Sequence, residues 1–119
     1  MSPNPKFEAF LEELLQATKD GKVDWRDTAD DDSFRVELKH GFVHVERQRE
    51  VDDEDRPQTY YRAYLYDRKG RLADEIDSWQ MMSGGAVLLE LFERARRSAR
   101  ETDNLLDQVT ADLQTQVGQ

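Results

Sequence analysis

Acidic side chains are the most numerous candidates for chemistry in this sequence, and they gather in two clusters. The first cluster consists of Asp27, Asp30, Asp31, Asp32 and Glu37, and the second runs from Glu50 to Asp55. A calcium-binding EF-hand loop needs carboxylates at positions 1, 3 and 5, a glycine at position 6 and a glutamate at position 12. Neither cluster supplies those spacings together with a glycine. We therefore predict two solvated loops and no metal site.

The two histidines, His40 and His44, lie four residues apart. On a helix that spacing suits a shared metal ion, but here it straddles a predicted turn and no third ligand accompanies it. The chain has no cysteine, which excludes disulfides and thiolate catalysis. No nucleophile–base pair or pair of catalytic carboxylates follows from spacing. We predict no catalytic residue, no cofactor and a protein that is not an enzyme.

A glycine-rich segment, Ser83-Gly84-Gly85, opens a predicted helix. Backbone amides at a helix N-terminus can cradle an anion. The segment lacks the lysine and the strand context of a phosphate-binding loop. A loop that requires unusual dihedral angles explains the glycines equally well, so both interpretations stay open.

The strongest candidate for a binding surface is the aromatic segment 59–66. Its alternation predicts a strand with Tyr61, Ala63 and Leu65 on one face and with three tyrosines and an arginine on the other. The second face is the candidate interaction face and consists of Tyr60, Arg62, Tyr64 and Tyr66. Tyrosine and arginine are enriched at protein–protein hot spots. The alternative is that a helix covers this face and buries the tyrosines.

The charge of the chain limits the classes of partner. Its formal net charge is −9, with 26 acidic against 17 basic residues. That balance disfavours nucleic acids and anionic membranes and favours a basic partner. Aspartate outnumbers glutamate and arginine outnumbers lysine, a bias that resembles proteins of salt-loving organisms, in which acidity is a solvation adaptation. No apolar run is long enough to span a bilayer, and residues 1–6 lack the apolar core of a signal peptide, so we expect a cytoplasmic protein.

The elements that must position these residues begin with an N-terminal helix over residues 5–19. Asn4 is a suitable N-cap, Pro5 suits the first helical position, and an apolar stripe follows at helical spacing. A hairpin comes next, because residues 34–38 and 42–47 both alternate around His40-Gly41. A two-residue turn there pairs Leu38 with Val43 and Val36 with Val45. The segment around Trp25 is either a short edge strand or a loop.

The aromatic strand and the segment of Leu72 and Ile76 complete a four-stranded antiparallel meander over residues 34–77, with Leu65 opposite Leu72. A long C-terminal helix over residues 84–115 follows. We therefore predict a single α+β domain over residues 1–119 with the order α-β-β-β-β-α in two layers, both helices on one face of the sheet.

The C-terminal helix carries an apolar stripe with alternating spacings of four and three residues. Unbroken, it would be about 48 Å long and would overhang the domain. The overhang contains Leu105, Leu106, Val109 and Leu113. Either the helix breaks near 102–104 and folds back, or it stays straight and pairs with a second copy. The regular spacing favours the straight helix and a homodimer through these four residues.

Two resemblances add to these predictions. Residues 18–28 fit the pattern T-x-x-G-K-x-x-W-x-x-T and, with LLELFERA at 88–95, resemble small bacterial proteins and domains of unknown function. That resemblance implies the same architecture and assigns structural roles to Trp25 and Thr28, but no activity. By size and composition the chain also resembles type III secretion chaperones. We predict a protein-interaction or regulatory module, with a small-ligand or chaperone-like binder as the alternative.

Overall fold

In the computed structural model, which describes residues 4–81 and 85–118, a five-stranded antiparallel sheet carries two helices on one face, and a third helix projects from the body. The helices are α1 (Pro5–Lys19), α2 (Ala86–Ala99) and α3 (Thr102–Val117). The strands are β1 (Trp25–Asp27), β2 (Ser33–Glu37), β3 (Gly41–Val51), β4 (Pro57–Asp67) and β5 (Leu72–Asp77), and they lie in chain order across the sheet. The α+β class is confirmed, with five strands in place of four.

The first helix begins as its sequence indicates. The side chain of Asn4 accepts a hydrogen bond from the Lys6 amide at 2.9 Å, and Pro5 occupies the first turn. The buried stripe of α1 comprises Phe7, Leu11, Leu14 and Leu15. These side chains join α2 and the inner face of the sheet in one core, so the helices and the sheet form two layers.

The additional strand, β1, is the short segment around Trp25. Trp25 pairs with Val36 and is buried, and its indole nitrogen donates a hydrogen bond to Thr18 Oγ1 at 3.0 Å. Its backbone amide donates to Ser98 Oγ at 3.3 Å. Of the two predicted alternatives, the edge strand is the one that forms. Three residues are too few to show an alternating pattern, which is why the sequence left the choice open.

The predicted register of the first hairpin is wrong by two residues. Phe34 pairs with Val45 and Val36 with Val43, so residues 38–40 form the turn and Leu38 lies outside the ladder with 40% exposure. Gly41 belongs to β3 and pairs with Asp67, and this position requires glycine because a Cβ would lie 2.3 Å from the carbonyl oxygen of Tyr66. A shift of two residues preserves the face of each side chain, and the apolar residues remain inside.

The last pairing of the meander also differs from prediction. Leu65 pairs with Asp74, and Leu72 pairs with Tyr66, across an irregularity between Leu65 and Tyr66. Because of this bulge, Leu72 is not on the face of Leu65 and is exposed. Ile76, opposite Ala63, is the buried residue of β5.

The C-terminal segment is two helices, so the prediction of a single helix over 84–115 is wrong. Residue 84 lies outside the described residues, as does Ser83, and α2 begins after Gly85, where a Cβ would lie 2.4 Å from the Ser78 carbonyl oxygen. The chain breaks at Arg100 and Glu101, just before the predicted break at 102–104, and Glu101 adopts φ of 47°.

After the break, α3 does not fold back. All its described side chains from Asn104 onward are exposed. The molecule measures 62 Å in its longest dimension and has a radius of gyration of 17.0 Å, against about 13.5 Å for a compact domain of this length. The end of α2 is held in place, because Arg100 donates a hydrogen bond to the Asp31 carbonyl at 3.0 Å and lies over the ring of Phe34.

Candidate functional site

The outer face of the sheet carries a continuous group of aromatic side chains. Strand alternation turns Val43, Val45 and Ala63 toward the helices and their neighbours outward. We use the term open face for the outward residues Phe42, His44, Tyr60, Arg62, Tyr64, Tyr66 and the adjacent Trp79. The core that α1 and α2 form with the sheet lies on the other side, and the side chains of α3 from Asn104 onward are exposed. Among the described residues, no helix therefore covers the open face.

The centre of the open face is a stack across β3 and β4. The rings of Phe42 and Tyr66 lie 4.9 Å apart and nearly parallel, at 14°. His44 meets the Tyr66 ring edge-on at 5.5 Å. On the other side, the Arg35 guanidinium lies 4.9 Å from the centre of the Phe42 ring, close enough for a cation–π contact. The stack therefore presents a fixed aromatic surface bordered by a positive charge.

Beside this stack, a polar network fixes Tyr64. Its hydroxyl donates to Glu46 Oε1 at 2.5 Å and accepts from Arg62 at 3.4 Å. Burial, followed by the hydrogen bond to Glu46, raises the pKa of Tyr64 to about 12. The hydrogen bond to Tyr64 raises the pKa of Arg62. Tyr64 is thus a neutral donor at physiological pH, and the network holds its ring in one position.

The far end of the open face is a second stack, of Tyr60 and Trp79. Their rings lie 4.4 Å apart, and Arg62 lies over the Tyr60 ring at 5.7 Å. Tyr60 is only 8% exposed, whereas Trp79 is 61% exposed. Tyr60, one of the four predicted residues, is therefore buried under the Trp79 ring. Trp79, which was not among the four, is the exposed ring that a partner would contact.

Sequence reasoning placed the four predicted residues on one face but missed three of its members. Phe42 and His44 alternate with Val43 and Val45, so the pattern that identified the buried face also pointed to them. Trp79 lies in the turn after β5, where its amide donates to Asp77 Oδ1 at 3.0 Å. A turn has no alternation, so nothing in the sequence assigned Trp79 to a face.

His44 is the titratable group at the centre of the open face. Burial, with a smaller contribution from Arg35, lowers its pKa, so the imidazole is neutral at physiological pH. Its Nε2 atom is buried and has no hydrogen-bond partner among the described residues. Arg35 and Glu46 are the charged groups that act on His44, and no hydrogen bond between either side chain and the imidazole orients it as a catalytic base among the described residues.

The projecting helix α3 presents the second candidate surface. Leu105, Leu106, Val109 and Leu113 are all exposed, Val109 least at 45%. Val117 extends the same stripe by one more turn. The helix contains three aspartates and no lysine or arginine. The result is an amphipathic, acidic helix whose apolar side has no partner among the described residues.

A third feature is an apolar groove at the end of the sheet where β2 turns into β3. Its volume is about 720 Å³. The groove lies between the start of α1 and the ends of β4 and β5. Its apolar lining includes Phe7, Phe10, Leu38, Leu65 and Ala73, and Lys6 and Lys39 lie on its rim. The mixture of apolar walls with a few charged groups is typical of a binding groove.

Residues of both acidic clusters form hydrogen bonds or ion pairs that stabilise the fold. Asp32 forms an ion pair with Arg47 at 2.6 Å, and this hydrogen bond lowers the pKa of Asp32. Asp52 accepts hydrogen bonds from the amides of Glu54 and Arg56 in the β3–β4 turn. Within residues 4–81 and 85–118, no three histidine or acidic side chains group as metal ligands. In the same part of the chain, no helix is both long and apolar enough to cross a membrane.

Comparison of the chain with family models, with curated proteins and with solved structures gave no match. The resemblance to small bacterial domains through residues 18–28 therefore stays a prediction. In the structure, Thr28 Oγ1 bonds Ser33 Oγ at 2.5 Å and accepts from the Asp30 amide at 3.1 Å, so its hydroxyl closes the 28–33 loop.

Proposed function

We propose that this protein is a non-enzymatic interaction module that binds a partner protein on the open face. The observation that carries the proposal is the double aromatic stack, Phe42 with Tyr66 and Tyr60 with Trp79, on a sheet face that the described helices leave uncovered. Tyrosine, tryptophan and arginine dominate hot spots, and the aromatic side chains bury much area with few rotatable bonds. A regulatory role, through a partner held on this face in the cytoplasm, is part of the proposal.

The charges on the open face favour a protein over a nucleic acid. Single-stranded nucleic acids also stack on aromatic side chains, but their binding requires a positive groove along the phosphates. Here Glu46 lies between the stacks, Glu75 and Asp77 pair opposite Tyr64 and Arg62, and the chain carries a net charge of −9. A partner with an apolar centre and basic rim residues suits this surface.

The proposal also includes a homodimer through α3. Burial of an exposed leucine or valine contributes roughly 1.5–3 kcal/mol. Leu105, Leu106, Val109 and Leu113 together therefore represent a large unused stabilisation in an isolated chain. A second copy of the chain is a partner that is always present, at the concentration of the protein itself.

A small-ligand or chaperone-like binder is the second candidate, and the apolar groove is the observation that favours it. Its volume of about 720 Å³ falls within the range of pockets that hold small organic ligands. The open face and the groove consist of different residues and would bind different partners. Variants in each can therefore separate the two candidates.

The test of the first candidate is affinity capture from lysate of the source cells with three baits. The baits are the wild-type protein, the double variant Phe42→Ala/Tyr66→Ala and the control Leu89→Ala. Leu89 is an exposed leucine of α2, away from the open face. We expect a protein that the wild type and the control retain and the double variant loses, although all three melt as folded proteins. Identical capture by all three baits would contradict the proposal.

A further inference from the structure

The apolar groove has a rim with more positive than negative charge. Within the described ranges, Lys6 and Lys39 form no ion pair. The acidic residues beside them are Asp67 and Asp74. Asp67 is paired with Arg71 at 2.8 Å, which leaves Asp74 as the acidic group against the two lysines. The groove is therefore suited to an apolar segment that carries negative charge.

The helix α3 has the complementary properties. Leu106, Val109 and Leu113 are spaced i, i+3 and i+7, the spacing by which an amphipathic helix anchors in an apolar groove. Asp107 and Asp112 lie outside this stripe, and α3 has no basic residue. A helix that places its leucines in the groove would bring its aspartates toward the lysine rim.

The groove and α3 of one chain lie at opposite ends of the sheet. The α2–α3 break is anchored by Arg100 to Asp31, next to the start of β2. The groove lies beyond the other end of β2, at Leu38, and none of its lining residues belongs to α3. Consequently, an α3 helix that docked in this groove would have to come from another molecule.

We propose that α3 of one chain docks in the apolar groove of a second copy, and that the second copy returns its own α3 in the same way. This inference rests on the homodimer of the proposed function and names the surface that α3 meets. The exchange is reciprocal, so both exposed stripes and both grooves are covered in a closed twofold dimer.

The alternative, α3 paired with α3, fits the observations less well. It would bring the aspartates of two acidic helices together without a basic residue on either helix. A helix of 16 residues is about 24 Å long and 10 Å wide, a footprint of roughly 240 Å². One helix pair uses two footprints, about 480 Å², within the range of crystal-packing contacts, whereas the reciprocal exchange covers two helices and two grooves and therefore buries a larger area.

Engineered disulfides test the exchange directly, because the chain has no cysteine of its own. Leu38→Cys places a thiol in the groove and Val109→Cys places one on the α3 stripe, both at partly exposed positions. Val51→Cys is the matched control, an exposed valine at the end of β3 and outside the groove. The single variants are mixed in pairs, allowed to exchange and oxidised, and the products are separated on a non-reducing gel.

We expect a disulfide-linked dimer from Leu38→Cys with Val109→Cys, and no comparable product from Val51→Cys with Val109→Cys. A strong product from Val109→Cys alone would overturn the exchange in favour of paired α3 helices, and the homodimer of the proposed function would stand. No product in any mixture, together with a monomer in sedimentation, would overturn both. Capture of a partner on the open face is independent of all these outcomes.

Discussion

The helices α2 and α3 are consecutive segments of one apolar stripe, yet they have opposite environments. In α2, Leu88, Leu91, Phe92 and Ala95 are fully buried against α1 and the sheet. In α3, which follows after a break of two residues, Leu106 and Leu113 are more than half exposed. The same amphipathic pattern therefore belongs to a core helix in one case and to a projecting helix in the other.

The difference shows what an amphipathic pattern can predict. It indicates that one side of the helix has to be covered, but it does not indicate which surface covers it. The sheet is covered by α1 and α2, and by the end of α2 the inner face of this chain is occupied. The αL conformation of Glu101 then turns the chain away from the body. A stripe that continues beyond the domain has no covering surface within this chain, so under the proposed dimer its partner is a second molecule.

The largest expected contrast comes from removing one apolar side chain from each helix. Phe92→Ala should lower the free energy of unfolding by about 3–5 kcal/mol, because Phe92 is buried between Phe34 and Tyr61. Leu106→Ala should change it by less than about 0.5 kcal/mol when measured at concentrations where the chain is monomeric. Urea unfolding of both variants measures the contrast. Similar losses in both would mean that α3 is packed within its own chain.

The break between the helices can be tested by a substitution that should stabilise a broken helix and destabilise a straight one. A non-glycine residue in the αL conformation costs about 1 kcal/mol, so Glu101→Gly should stabilise the chain by up to about that amount. If α2 and α3 were one straight helix, a glycine at this position would destabilise it by about 0.5–1 kcal/mol. Thermal unfolding of Glu101→Gly beside Glu101→Ala distinguishes the two, since alanine gains only in the straight helix.

A smaller effect is expected at the ion pair that packs against the middle of α2. Arg47 lies over the Phe92 ring and is paired with Asp32. The hydrogen bond to Arg47 lowers the pKa of Asp32 below 3.8, so the pair stabilises the fold above that pH, and the contribution is lost as the pH falls through the lowered value. Unfolding free energies measured from pH 6 down to pH 2 should show a shallower acid dependence for Asp32→Asn than for the wild type. Equal slopes would contradict this.

Much of the fold could be predicted from the sequence because alternation and helical spacing fix which face a residue occupies. Phe34, Val36, Val43 and Val45 were assigned to the inner face and are buried there. Their pairing was wrong by two residues, because a shift of two leaves every side chain on its original face. Gly41 was expected in the turn but lies in β3, close to the Tyr66 carbonyl, and such a contact between distant residues has no local signal.

The candidate surfaces were predictable to a lesser extent. The face of Tyr64 and Tyr66 followed from alternation, but Trp79 joins it through a turn. The exposed leucines of α3 were identified, and a break near 102–104 was one of two alternatives, but the regular spacing of the apolar stripe favoured the straight helix that does not form. The groove is assembled from α1, the β2–β3 turn and β5, so its existence depends on tertiary placement alone.

Sedimentation equilibrium tests most directly whether α3 needs a second molecule. At tens of micromolar, the wild-type chain should sediment at twice its mass of 13.9 kDa. Leu106→Asp, which places a charge in the middle of the α3 stripe, should sediment as the monomer with an unchanged melting temperature at low concentration. A wild-type protein that remains a 13.9 kDa species across this range would contradict the assignment of α3 as a docking helix.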